Sequence, residues 1–253
     1  MIRVASPFPL FLVGLAAYAL FLALGVPATV VGPRLEAASG GRLRVVSTSG
    51  TITAGRATLE VRTPALGTWR VDALRWAWRP ARLFAGELAF DLEADLAGLR
   101  LAGRGARSLG EWQLRDLRGR GEAEGLGTLV PLAASWQPAG AVALEATSLA
   151  FDGKEVRGSA TLDWRDASLS LSAARPLGSW RATLAGDGGP ARVTLATVKG
   201  PLRLSGKGTI APSGRLAFMG EARPEAGREA ELEPVLSLIG PRRADGARTL
   251  EVR

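Results

Sequence analysis

The chain has 253 residues, a net charge of +8 carried almost wholly by arginine, and neither histidine nor cysteine. Those absences exclude Ser-His-Asp and Cys-His catalysis and the usual zinc sites. The arginines stand singly, with no basic block beyond Arg242-Arg243. That dispersal argues against a nucleic-acid partner and suits a solvated face or one drawn to anionic headgroups.

From Val4 to Pro33 no side chain is charged. The densest part, Leu10 to Val31, would reach roughly 33 Å as a helix, enough to cross a bilayer. A signal peptide has a shorter apolar part, about 7–15 residues, followed by a cleavage site. Here the A-x-A triplet Ala17-Tyr18-Ala19 lies inside the run. The pattern predicts an uncleaved transmembrane helix over 10–31, a tail over 1–9 and one tethered domain over 32–253. Arg3 lies on one side and Arg34, Arg42 and Arg44 on the other, so a count of positive charge does not orient the span. A short tail before a single span is usually left in the cytoplasm, which puts the domain outside it. Thr29 to Ser39 continues as helix for a turn or two and ends at Gly40-Gly41.

Beyond that point the dominant period is two. Ala57-Leu59-Val61, Leu74-Trp76-Trp78 and Leu88-Phe90-Leu92 alternate with polar or small residues. Val142-Leu144-Ala146, Leu162-Trp164, Trp180-Ala182-Leu184, Val193-Leu195, Leu202-Leu204 and Leu216-Phe218 repeat the pattern. Such segments are strands with one buried face. Turn signals separate them: Ser49-Gly50, Pro64, Gly86, Gly119-Arg120-Gly121, Pro138-Ala139-Gly140, Asp152-Gly153, Asp187-Gly188-Gly189-Pro190 and Pro212-Ser213-Gly214. The fold class is therefore mainly β and antiparallel. Gly121 to Ala134 has the weakest pattern and is the one candidate seam. Glu225 to Ile239 reads as a helix, because Leu232, Val235, Leu236 and Ile239 share a face before Gly240-Pro241 stops it. Thr249 to Val252 forms a last short strand.

The chemical motifs fail one by one. No Ser stands three residues before Lys154, Lys199 or Lys207, so S-x-x-K is absent. Gly206-Lys207 is followed by Gly208, and Pro201 holds the place of the first P-loop glycine. Asp91, Glu93 and Asp95 alternate with Phe90, Leu92 and Ala94, and Leu96 stands where a calcium loop needs glycine. They read as the wet face of a strand. Glu229, Glu231 and Glu233 suit the first turns of the helix, where negative charge meets the dipole. No catalytic, cofactor-binding or metal-binding residue is assigned, and no small-molecule substrate is expected. Trp76 and Trp78 are the candidate site: two indoles on one strand face, either core or an apolar surface for lipid or a protein partner.

Four segments together resemble protein N of the type II (general) secretion pathway. Ser49 to Ala57 (SGTITAGRA) is similar to that family's G-T-V-W-S-G-x-A stretch, with Ile52 and Thr53 departing from it. Leu74 to Asp91 resembles its tryptophan strand, Pro-containing turn and following strand. Leu162 to Trp180, closing on Arg175-Pro176-Leu177-Gly178-Ser179-Trp180, resembles its W-x(n)-P-L-G segment. Lys199 to Gly208 (KGPLRLSGKG) with the Leu232 to Gly240 helix resembles its G-P-L-x-L-x-G-x-G run and C-terminal end. The resemblance implies a single-pass protein of the bacterial inner membrane with its bulk in the periplasm. It implies a non-enzymatic accessory role, binding an inner-membrane platform component or the secretin during export of folded proteins. A more distant similarity, to AsmA-like tethered β proteins that shield lipid, implies an elongated, curved sheet and membrane lipid as the alternative partner.

Overall fold

A computed structural model describes residues 25–63, 67–108, 110–125, 127, 135–152, 155–211, 213 and 215–252. The tail 1–9 and residues 10–24 of the expected span lie outside them. Among the described residues no helix is long and apolar enough to cross a membrane.

Thirteen antiparallel strands form one sheet in sequence order: β1 (Leu43–Gly50), β2 (Ala54–Thr63), β3 (Gly67–Trp78), β4 (Leu88–Leu96), β5 (Leu99–Ser108), β6 (Glu111–Glu122), β7 (Ala139–Phe151), β8 (Val156–Ser168), β9 (Gly178–Asp187), β10 (Ala191–Lys199), β11 (Leu202–Ile210), β12 (Leu216–Pro224) and β13 (Arg248–Val252). Each strand pairs with the one before it, so nearly every ladder is closed by a short local connection. Among the described residues two α-helices accompany the sheet, α1 (Val31–Ala38) and α2 (Glu229–Ile239).

Period-two alternation sorts the side chains onto two faces. Cross-strand partners on one face are apolar: Trp76 with Leu92, Trp78 with Phe90, Leu144 with Leu162, Trp164 with Trp180. The other face pairs Arg44 with Glu60, Arg75 with Glu93 and Asp163 with Arg181. Strand alternation thus produces an apolar face and an ionic face on a single sheet.

Over the C-terminal half, α2 covers the apolar face. Leu232, Val235 and Leu236 project from one side of the helix into a cluster with Trp180, Leu202 and Ala222. Leu177, Leu202, Leu232 and Leu236 are the largest fully buried side chains among the described residues. The two later family-like segments meet there, where the Leu202 amide donates to the Leu177 carbonyl at 3.0 Å. Trp164 and Trp180 pack edge to face, with ring centres 5.4 Å apart. Gly206 and Gly208 leave space for the Phe218 ring, since a Cβ on Gly206 would come within 2.3 Å of it.

The structure differs from the sequence expectations in three respects. Strands β5 and β6 have no long run of large apolar residues because glycine holds part of their apolar face, and in β1 a register shift between Val45 and Ser47 breaks the alternation. Gly119-Arg120-Gly121, expected as a turn, lies inside β6, and Ala139-Gly140 begins β7. A Cβ on Gly119 would sit 2.6 Å from the Leu101 side chain, so the glycine is there for close packing. The expected seam after Gly121 does not interrupt the ladder, since β6 and β7 pair from Trp112–Phe151 to Glu122–Ala141. The C-terminal helix begins at Glu229, after a turn in which the Arg228 amide donates to the Glu225 carbonyl.

Candidate functional site

Over the N-terminal half no long helix of the described residues lies on the apolar face. The stretch after Gly25 folds back instead: Pro27 bridges Thr51, and the Ile52 amide donates to the Val26 carbonyl at 3.0 Å. A short 3₁₀ turn, Ala28–Val30, buries Ala28 and leads into α1. Glu36 on α1 accepts the Val45 amide at 2.7 Å, fixing the helix beside β1. Helix α1 ends at Ser39, with Gly40 and Gly41 both at positive φ, as the sequence implies.

Between α1 and the sheet runs an apolar groove of about 320 Å³. Val31 and Leu35 line one side, Leu59, Leu74, Trp76 and Leu92 the floor, and Trp112 the far side. None of its lining residues is charged. Strands β1 and β6 would stand roughly 24 Å apart in a flat sheet, at about 4.8 Å per strand. Val45 of β1 and Trp112 of β6 nevertheless line the same groove, so the sheet curls around it.

The Ser49 to Ala57 segment is the joint of this region. Its Thr51 and Ile52 carbonyls accept the Trp76 Nε1–H at 3.2 and 3.1 Å. Its Thr53 carbonyl accepts the Trp78 amide at 2.6 Å. Ile52, where the sequence departs from the family-like motif, lines the groove. Trp76 is half-buried on the groove floor; Trp78 is also half-buried, on the same face opposite Phe90, but does not line the groove. Sequence reasoning found Trp76 but missed Val31, Leu35 and Trp112. Val31 ends the apolar run that reads equally well as membrane helix, Leu35 follows it just past Arg34, and Trp112 has only Leu114 and Leu117 near it among polar residues.

On the opposite face Asp91 and Glu93 are exposed and oppose Ala77 and Arg75. Arg79 lies 3.4 Å from Asp91, and Arg75 lies 3.7 Å from Glu93. Asp95 accepts the Gly98 amide in the β4–β5 turn. These carboxylates belong to the ionic face, and no cluster among the described residues could hold a metal ion. Asp163 shows how that face is held. Hydrogen bonds from the Arg181 guanidinium, at 2.6 and 3.0 Å, keep its carboxyl below the ordinary range against the opposing effect of desolvation. A hydrogen bond from Arg115 lowers Glu87 in the same way, and the Ala247 amide lowers Asp245.

Fold and groove define a class: a single-sheet antiparallel β protein with one ionic face and one apolar face, the latter covered over only part of its width by the described residues. Within that class the chain belongs to the family of the type II secretion system (T2SS), protein N, whose family model matches residues 41–251. The match runs from Gly41 to Glu251 and so takes in α2 and the sheet except Val252, the last residue of β13. This is an accessory family of the secretion system, not a known enzyme family. No curated protein and no solved structure matches the chain at a significant level.

Proposed function

We propose that this secretion-system component is anchored in the bacterial inner membrane by the uncharged run from Val4 up to Val26, where the chain joins the fold. Residues 26–31 of the expected span then belong to the domain, and its sheet lies in the periplasm. There it acts by binding another type II secretion component, an inner-membrane platform protein or the secretin. The observation that carries the reading is the apolar groove beside α1, with Leu35 and Trp112 at its margins still accessible. A fold that buries its large side chains under α2 leaves this second apolar surface available for a partner. Trp76, on the groove floor, is the anchor a partner side chain would meet.

The same groove supports a second reading, an AsmA-like role in which it holds or shields an acyl chain, because an uncharged lining suits hydrocarbon as well as a protein side chain. A reporter active only outside the cytoplasm, fused after Arg253, should be active, and the chain should stay with membranes through a salt wash. The full chain in detergent should co-purify with platform components or the secretin, and Leu35→Glu should abolish this while the domain remains folded. A cytoplasmic reporter would overturn the location. Retained co-purification in the folded Leu35→Glu variant would overturn the groove.

A further inference from the structure

One end of the sheet carries exposed apolar side chains that the core does not account for, and of which Trp112 alone also borders the groove. Between β3 and β4 a 3₁₀ turn, Pro80–Ala85, projects from the sheet and is closed by Gly86 at φ 71°. It presents Leu83 and Phe84, the latter 98 % exposed, and no acidic residue lies between Pro80 and Gly86. Behind it, a row of cross-strand partners forms the rim of the apolar face: Leu88 with Arg107, Arg107 with Trp112, Trp112 with Phe151. Leu88, Trp112 and Phe151 are 43, 53 and 38 % exposed, and the Arg107 guanidinium lies 5.0 Å from the centre of the Trp112 ring.

The chain enters the fold at this same end. Val26 and Pro27 are tied to Ile52 and Thr51, and the next residue of that turn, Thr53, accepts the amide of Trp78, two residues before Pro80. The uncharged run that begins at Val4 therefore joins the fold about one strand spacing from the turn that carries Phe84. We infer that this end of the sheet is a membrane-contact surface: Leu83, Phe84 and the Leu88–Trp112–Phe151 rim seat in the headgroup boundary of the bilayer that holds the N-terminal run. The inference rests on the proposed membrane anchoring.

The residue types suit that position. Tryptophan, phenylalanine and leucine enter the boundary between headgroups and acyl chains, and arginine lays its stem along apolar surface while its head stays among phosphates. Arg79 and Arg82, near Asp91 and Glu87, precede the Leu83-Phe84 tip, Arg107 lies in the rim, and the net charge of +8 adds attraction to an anionic leaflet. A bilayer occupant also accounts for the tip's position at the end of the sheet, on the side where the chain would leave a membrane. The groove shares Trp112 with this rim, and its α1 side, at Val31 and Leu35, stays free for another partner.

The absence of cysteine makes the test direct. Phe84→Cys, Leu83→Cys and, at the opposite end, Ala226→Cys are each labelled with a nitroxide in the full chain. The chain is reconstituted in vesicles of phosphatidylethanolamine and phosphatidylglycerol, and accessibility to oxygen is compared with that to a water-soluble nickel complex. Labels at 83 and 84 should be reached by oxygen and protected from nickel, while the label at 226 shows the reverse. Labels at 83 and 84 as open to nickel as that at 226 would overturn the inference and leave the tip to a protein partner. A label at Leu15→Cys separates the two failures. If it is buried in lipid while the tip is wet, anchoring stands and the surface falls. If it is wet while the tip is protected, the surface stands and the anchor falls.

Discussion

The two halves of the sheet use the same alternation of side chains and reach different degrees of burial. In the C-terminal half, Trp180 is 6 % exposed, Leu177, Leu202 and Leu232 are fully buried, and α2 lies over them. In the N-terminal half the buried residues of β2, β4 and β5 are Ala57, Ala89, Leu99 and Ala106, while Leu74, Trp76, Phe90 and Leu92 stay half-buried around a groove. Strand periodicity decides which face a residue takes; a covering element decides whether that face becomes core. Eleven residues of helix at the right place convert one half into core, and among the described residues the eight of α1, set beside β1, do not cover the other half.

The sharpest way to break this comparison is to truncate the matching indoles. Trp180→Ala removes a buried ring and its Nε1–H bond to the Leu202 carbonyl at 3.0 Å, and should cost about 3–5 kcal/mol in equilibrium unfolding. Trp76→Ala removes a half-exposed ring and its bonds to the Thr51 and Ile52 carbonyls. It should cost about 1–2 kcal/mol, most of it from the lost hydrogen bonding, while weakening partner binding. Equal losses at the two positions would mean that the groove is core under another name.

That contrast also marks how far the sequence could be read. Alternation located nine of the thirteen strands from their large residues, and a tenth, β13, from its position at the C-terminal end. It passed over β5 and β6, where Gly103, Gly105 and Gly119 take positions on the apolar face and the packing is supplied from neighbouring strands, and over β1, where a register shift between Val45 and Ser47 breaks the period. The helix of Leu232, Val235 and Leu236 was legible because it repeats at i, i+3, i+4. Its covering role was not, since nothing in a helical period says which half of a sheet it lies on. For the same reason Trp76 was recognisable as a candidate, yet the groove around it was not. That groove depends on the curl of six strands and on a backbone bridge between Pro27 and Thr51.

The smallest effects belong to the ionic face, which is alike in both halves. Asp91→Asn, Glu93→Gln and Asp95→Asn should each change stability by less than about 0.5 kcal/mol and leave function intact. A null phenotype from one of them in a folded protein would restore a chemical role to these carboxylates. Glu87, Asp163 and Asp245 all have lowered folded-state pKa values, through Arg115, Arg181 and the Ala247 amide respectively. A lowered carboxylate pKa gives stability that is present above the unfolded value and lost as pH falls through the folded one. Unfolding followed from pH 7 downward should therefore show a loss beginning near pH 4, where free carboxylates titrate, and a smaller one in Asp163→Asn. An identical acid limb in that variant would remove Asp163 from the account.

The central claim is that the N-terminal groove, and not the covered half, is where this secretion-system component meets its partner. A photo-crosslinking residue placed at Leu35 on α1, and separately at Leu238 on the exposed side of α2, tests it in cells that carry the secretion machinery. The account predicts an adduct with an inner-membrane platform component or the secretin from position 35 and none from position 238. Adducts with those components from 238 alone, or from both positions alike, would contradict it.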